Sequence, residues 1–140
     1  MKKQSTRIIG IILILGLAAA AIGGTMYFKP HADVNQLDAE FQMSVPEVLA
    51  AFSEDENSAN QKYVDKIIEV KGTVAEINET GDGGVVVSLR EDGEMLGVNC
   101  AFQPADAGKA QKLAVGTQVS IKGFCSGMLM DVNLNRCVLP

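Results

Sequence analysis

The residues best equipped for chemistry in this 140-residue chain are three cysteines, Cys100, Cys125 and Cys137. A thiolate can act as a nucleophile or a metal ligand, and a thiol can form half of a disulfide. Nucleophilic use needs a neighbouring base, and the only histidine, His31, sits beside Pro30 in a polar stretch far from all three. No Cys-x-x-Cys pair is present, so the spacing implies no metal centre. Disulfide chemistry is left, if the compartment is oxidising. Three thiols allow one bridge and one free cysteine. A hairpin turning near Met128 to Met130 sets Cys125 opposite about Val132. Cys137 then lies several residues further on, at about 3.4 Å each, too far to be bridged. The competing reading is three buried thiols serving as small apolar residues.

Other candidates have plainer readings. Glu54, Asp55 and Glu56 form an acidic cluster, but they open a predicted helix, where carboxylates complement the helix dipole. Gly81, Gly83 and Gly84 belong to a turn rather than a phosphate-cradling loop. Lys71 and Lys122 sit at equivalent places in two echoed segments, Val70-Lys71-Gly72 and Ile121-Lys122-Gly123, and alternate outward as solvated strand lysines. No Ser/His/Asp or Cys/His set can be assembled. The expectation is a protein that is not an enzyme, with no catalytic residue, metal or cofactor.

The elements that position these residues begin with a hydrophobic segment. Ile8 to Phe28 is 21 residues without a charge. A helix of that length matches a bilayer core of about 30 Å. Lys2, Lys3 and Arg7 precede it, which keeps the N-terminus inside and sends the rest across the membrane. The rival reading is a cleaved signal peptide with an Ala-x-Ala site within Ala18 to Ala21. Either places the domain outside the cytoplasm, single-pass in the cytoplasmic membrane or secreted. No Cys precedes Cys100, so a lipid-modified cysteine is excluded. From Lys29 onward 9 Lys or Arg stand against 17 Asp or Glu, a net charge of −8. That balance argues against sequence-independent binding to phosphate backbones.

Residues 29–43 read as a tether and 44–140 as the domain. Ser44-Val45-Pro46-Glu47 is a capping box, followed by Val45, Val48, Leu49 and Phe52 on one helical stripe. Ser53 to Glu56 repeats the box, predicting a second short helix to about Tyr63. Strands follow over Lys66 to Ile77, Val85 to Arg90 and Met95 to Phe102. A helix over Pro104 to Leu113 ends before Gly116, and strands Gln118 to Ser126 and Asp131 to Leu139 complete the chain. Gly72 and Gly123 mark bends. The prediction is a mainly β chain with α elements. Three strands, a helix and two strands give the order of a five-stranded OB-fold Greek-key barrel, preceded by one or two short helices and an N-terminal membrane helix. Another small β-barrel or sandwich is the rival. In an OB barrel the third and fifth strands are parallel neighbours, which favours Cys100 with Cys137 as the bridged pair.

The runs Val70-Lys71-Gly72-Thr73-Val74, Val98-Asn99-Cys100, Ile121-Lys122-Gly123 and Cys137-Val138-Leu139 carry a resemblance over roughly Ser44 to Leu139. The sequence resembles the tRNA-anticodon-like OB-fold family of small bacterial cell-envelope proteins. That resemblance implies the fold, and nucleic-acid binding by analogy only. Single-strand binding by OB-folds uses aromatic platforms and a cationic groove. Val85 to Arg90 has no aromatic, Phe102 points inward, and Asn99, Ala101 and Gln103 point outward, with Arg90 as the lone cation of the second and third strands. The expectation is therefore a membrane-tethered binding module with an envelope-protein partner, contacting it through Ser126, Gly127, Met128, Leu129 and Met130. In the competing reading the methionines cover the barrel's mouth. Single-stranded nucleic acid or an oligosaccharide is the alternative ligand, with nucleic acid disfavoured.

Overall fold

The computed structural model describes residues 9–20 and 33–140. Residues 9–20 form a helix, α1, whose isoleucines and leucines are exposed. Among the described residues no helix is long and apolar enough to cross a membrane. The rest of the expected span, residues 8 and 21–28, lies outside the described residues, as does His31.

The second compact unit is Asp33–Pro140. Residues 33–43, expected to be tether, take part in it. Val34 packs with Ile67 and Val138 in a small core of its own, and Phe41–Ser44 forms strand β1. Two helices follow. α2 (Val45–Glu54) starts at the expected capping box: Ser44 N–H donates to Glu47 Oε2 at 2.7 Å and Glu47 N–H donates to Ser44 Oγ at 3.4 Å. α3 (Glu56–Tyr63) departs from the expected start at Ser53. Its cap is Asp55, which accepts from both the backbone and the hydroxyl of Ser58. A carboxylate accepts two such bonds at once, which a serine at 53 does not match.

Five strands then close a barrel. They are β2 (Ile67–Glu79), β3 (Val85–Arg90), β4 (Val98–Phe102), β5 (Gln118–Met128) and β6 (Val132–Val138), with α4 (Pro104–Gln111) between β4 and β5. The sheet order is β1-β2-β3-β4-β6-β5, and β2 also pairs with β5. This is the OB-fold order, with the two echoed segments side by side: Val70 opposes Ile121 and Gly72 opposes Val119. β2 can serve two neighbours because it is 13 residues long and shifts register between Val74 and Glu76. β1 adds to β2 in parallel, with Phe41 beside Ile68.

Alternation fills the barrel. Val70, Val74, Val87, Leu89, Val98, Cys100, Ile121, Leu134 and Cys137 are all buried. The echoed glycines face crowded neighbours. A Cβ on Gly72 would come within 2.4 Å of Val45 Cγ2, and one on Gly123 within 2.6 Å of Cys137 Sγ. Glycine at these two places lets α2 and β6 approach the barrel wall. Lys71 is exposed as expected, but Lys122 corrects the reading of a solvated pair. It is buried, and its Nζ donates to the Leu37 carbonyl at 2.7 Å. The long stem crosses β5 to fasten the segment that leads into β1.

Candidate binding surface

Five residues, Ser126 to Met130, were expected to form a contact loop, and the structure divides them: Ser126 is still within β5, exposed, with its hydroxyl donating to the Asn133 carbonyl at 3.1 Å. Gly127 is buried at a bulge in β5, with φ +98, and supplies a left-handed backbone there rather than loop freedom. Met128 is half-buried against the barrel core. Leu129 and Met130 project from the β5–β6 turn, 93% and 77% exposed. Beside them are two residues absent from the expectation, Met95 (88% exposed) and Leu96 (36%). The sequence pattern places them at the start of a strand over Met95 to Phe102, but β4 begins only at Val98. A Cβ at Gly97 would sit 2.2 Å from the Leu89 carbonyl oxygen, so glycine is required where the chain turns into β4.

Asp131 holds the two loops together. Its Oδ1 accepts from Gly97 N–H at 2.8 Å and its Oδ2 from Asn99 Nδ2 at 3.1 Å, while Arg90 Nη2 lies 3.8 Å from Oδ2. Its carbonyl accepts from Leu129 N–H and from Asn133 Nδ2, and Val132 N–H donates back to the Gly97 carbonyl. A partly buried carboxylate with this many donors makes strong, charge-assisted bonds. The exposed methionines and leucines therefore ride on a braced platform. Sequence reasoning missed Asp131 because its partners lie 32 and 34 residues away.

The outer face of β3, β4 and β6 is polar. Ser88 Oγ donates to Asn99 Oδ1 at 2.8 Å, and Asn135 Nδ2 donates to Ser126 Oγ at 3.1 Å. A groove of about 370 Å³ lies on this face, floored by Val86 and Ala101 and edged by Asp82, Gln103 and Arg136. The Asp82 carboxyl is held below its ordinary value by the Thr80 hydroxyl and the Gly84 amide. The Arg136 guanidinium lies 4.3 Å from the Phe124 ring centre. Phe102 points into the barrel, and Arg90 is engaged with Asp131.

All three cysteines are free and buried. The fold places Cys100 and Cys137 on parallel neighbours: β4 pairs with β6, Cys100 stands opposite Leu134, and the Cys137 thiol lies near Cys100, with no disulfide between them. Burial, then the neighbouring Cys100 thiol, pushes Cys137 well above its ordinary value, and burial raises Cys125. Asp55 is engaged as a helix cap. Among the described residues no group of three or more His, Cys, Asp or Glu side chains converges on one point.

The tRNA_anti-like family profile matches residues 1–139. This chain belongs to the tRNA_anti-like family. A crystal structure described as that of a candidate nucleic acid-binding lipoprotein from Klebsiella pneumoniae superposes with a TM-score of 0.62 at 16% identity, covering 80% of this chain and 99% of that one. At that identity the likeness shows a shared fold. The S. pombe Stn1-ten1 complex aligns with a TM-score of 0.41 at 19% identity over 49% of this chain and 52% of that one. No curated protein matches the sequence.

Proposed function

We propose that this tRNA_anti-like protein is a non-catalytic binding module, tethered to the membrane by its N-terminal apolar segment, with its OB barrel outside the cytoplasm and an envelope protein as partner. The observation that carries the reading is the braced apolar tip: Met95, Leu129 and Met130 are the most exposed large apolar side chains of the barrel unit, on two loops joined through Asp131. An apolar patch held rigid loses little entropy on docking, so its burial contributes more fully to affinity. Methionine adapts to varied partner surfaces. The uncharged run from Ile8 to Phe28 supports the tether, and the lack of any cysteine before Cys100 favours an apolar anchor over a lipid. The lipoprotein character of the Klebsiella relative fits an envelope location.

A photo-crosslinking residue at Leu129 in intact bacteria tests the reading. A discrete protein adduct is expected from position 129 and none from exposed Lys71. The reading fails if Leu129 gives no adduct while the protein is present in membranes. Protease added to spheroplasts should digest the barrel. A second reading, a single-stranded nucleic acid or oligosaccharide on the β3–β4–β6 face, is favoured by the groove edged by Gln103 and by Arg136 over Phe124. A salt-sensitive shift of a labelled oligonucleotide that Arg136→Ala removes would establish it in place of the first.

A further inference from the structure

A second surface lies at the open edge of the sheet, separate from the Leu129 tip. β1 stands at the end of the strand order, paired with β2 on one edge only. Strand side chains alternate between faces, so consecutive residues line one groove only where it runs along the strand's edge. Phe41, Gln42 and Met43 do so, in a groove of about 490 Å³ whose opposite wall is α2. That wall is a second stripe on α2, Glu47, Ala50, Ala51 and Glu54, spaced i, i+3, i+4, i+7 beside the buried one. Tyr63 forms the floor, with its ring edge-on to Phe41 at 5.0 Å. The two alanines leave room against an aromatic floor, and the carboxylates of Glu47 and Glu54 stand at the ends, about 10.5 Å apart along the helix. Glu47 is held ionised by the Ser44 amide and hydroxyl.

We infer that this groove receives an extended polypeptide segment that pairs with the free edge of β1 as an added strand. The segment would alternate small apolar residues, seated against Ala50, Ala51 and Tyr63, with basic residues facing Glu47 and Glu54. Strand addition draws affinity from main-chain hydrogen bonds and specificity from alternate side chains. Four residues of β1 match four to five residues of an added strand, at about 3.4 Å each. The charge of the guest follows from the two rim carboxylates; the Lys62 ammonium, 5.5 Å from the Phe41 ring centre and 5.1 Å from that of Tyr63, keeps the guest's basic residues at the Glu47 and Glu54 rim and leaves the aromatic floor to its apolar ones.

The probe is a fluorescein-labelled heptapeptide of alternating lysine and valine, titrated by anisotropy against the full chain in mild detergent. Saturable binding is expected, with hydrogen-exchange protection gained at Phe41 to Met43. Ala50→Trp fills the groove from an exposed position, and Glu54→Lys reverses one rim charge; each should weaken binding tenfold or more with an unchanged unfolding midpoint. Met43→Pro removes an edge amide from β1 and should abolish the protection. Equal affinity for a glutamate–valine peptide, or wild-type affinity in both Ala50→Trp and Glu54→Lys, overturns the proposal. Leu129→Asp should leave this binding intact, which separates its failure from that of the envelope-partner reading.

Discussion

Gly72→Ala is the sharpest test of how α2 seats on the barrel. The added methyl would lie 2.4 Å from Val45 Cγ2 and 3.2 Å from Leu89 Cβ. Val45 is fully buried, and a β-branched side chain on a helix has essentially one rotamer, so it cannot swing aside. Overpacking of this kind costs about 1–3 kcal/mol. The backbone of Gly72 is not left-handed, so alanine also reduces unfolded-state entropy, which offsets about 0.4–1 kcal/mol. The net expectation is a loss of about 1–2 kcal/mol, or roughly 4–16 °C for a domain near 100 residues. Val45→Ala alone should cost about 1.6 kcal/mol in transfer plus a cavity contribution. In the double variant the new methyl occupies part of the vacated space, so Gly72→Ala should become neutral or stabilising when Val45 is already alanine. Urea unfolding followed by circular dichroism, with constant m, measures all four corners of the cycle. Coupling of about 1–3 kcal/mol is expected. Additivity within about 0.5 kcal/mol would refute the account of Gly72 as the seat of Val45.

Four further outcomes follow from the buried polar groups and thiols. Asp131→Ala should cost about 1.5–3 kcal/mol by removing charge-assisted bonds to Gly97 and Asn99, and crosslinking from Leu129 should become diffuse; unchanged stability in urea would count against the bracing role. Lys122→Met should cost about 1–2 kcal/mol and speed proteolysis before Phe41, since it frees the Leu37 carbonyl; a protease pattern like the parent's would contradict the anchoring role. With the thiols reduced, stability should fall as pH rises past about 9, because folded Cys137 and Cys125 hold their protons where the unfolded thiols release them. The unfolded state then binds fewer protons, a negative slope of at most about 1.4 kcal/mol per pH unit from Cys137 and a smaller one from Cys125. Cys137→Ala should flatten part of that slope. In protein recovered from an oxidising compartment, non-reducing digestion should link Cys100 to Cys137 and leave Cys125 free.

The barrel was legible because its strands alternate so regularly. Val85, Val87 and Leu89 against Val98, Cys100 and Phe102 specify two inward faces, and the Gly72 and Gly123 echo marks two walls that a neighbour approaches closely. The cap of α2 was legible because Ser44 and Glu47 are local partners. The illegible features depend on contacts between distant parts of the chain. β1 has only four residues and joins in parallel, so neither turn chemistry nor a long alternation announces it. Lys122 reads as one more polar strand residue until Leu37, 85 residues earlier, folds beneath its amine. Met95 and Leu96 look like the continuation of an apolar strand, and only the Gly97 bend against Leu89 puts them outside it.

Barrel closure also explains where such a module can bind. Pairing of β2 with β5 removes the two edges that an open sheet would offer. β1 covers the part of β2 that β3 does not reach, since Phe41 to Ser44 occupy Ile68 to Lys71 while β3 pairs only from Thr73 onward. The consequence is a transferred edge: backbone pairing capacity moves from the barrel wall to β1, next to the α2 stripe of Glu47, Ala50, Ala51 and Glu54. The β5–β6 turn carries a separate apolar exposure, Leu129 and Met130, stiffened by Asp131. A strand-shaped guest and a flat apolar partner would then use chemically different surfaces, so the Glu54→Lys and Leu129→Asp effects should be independent of each other.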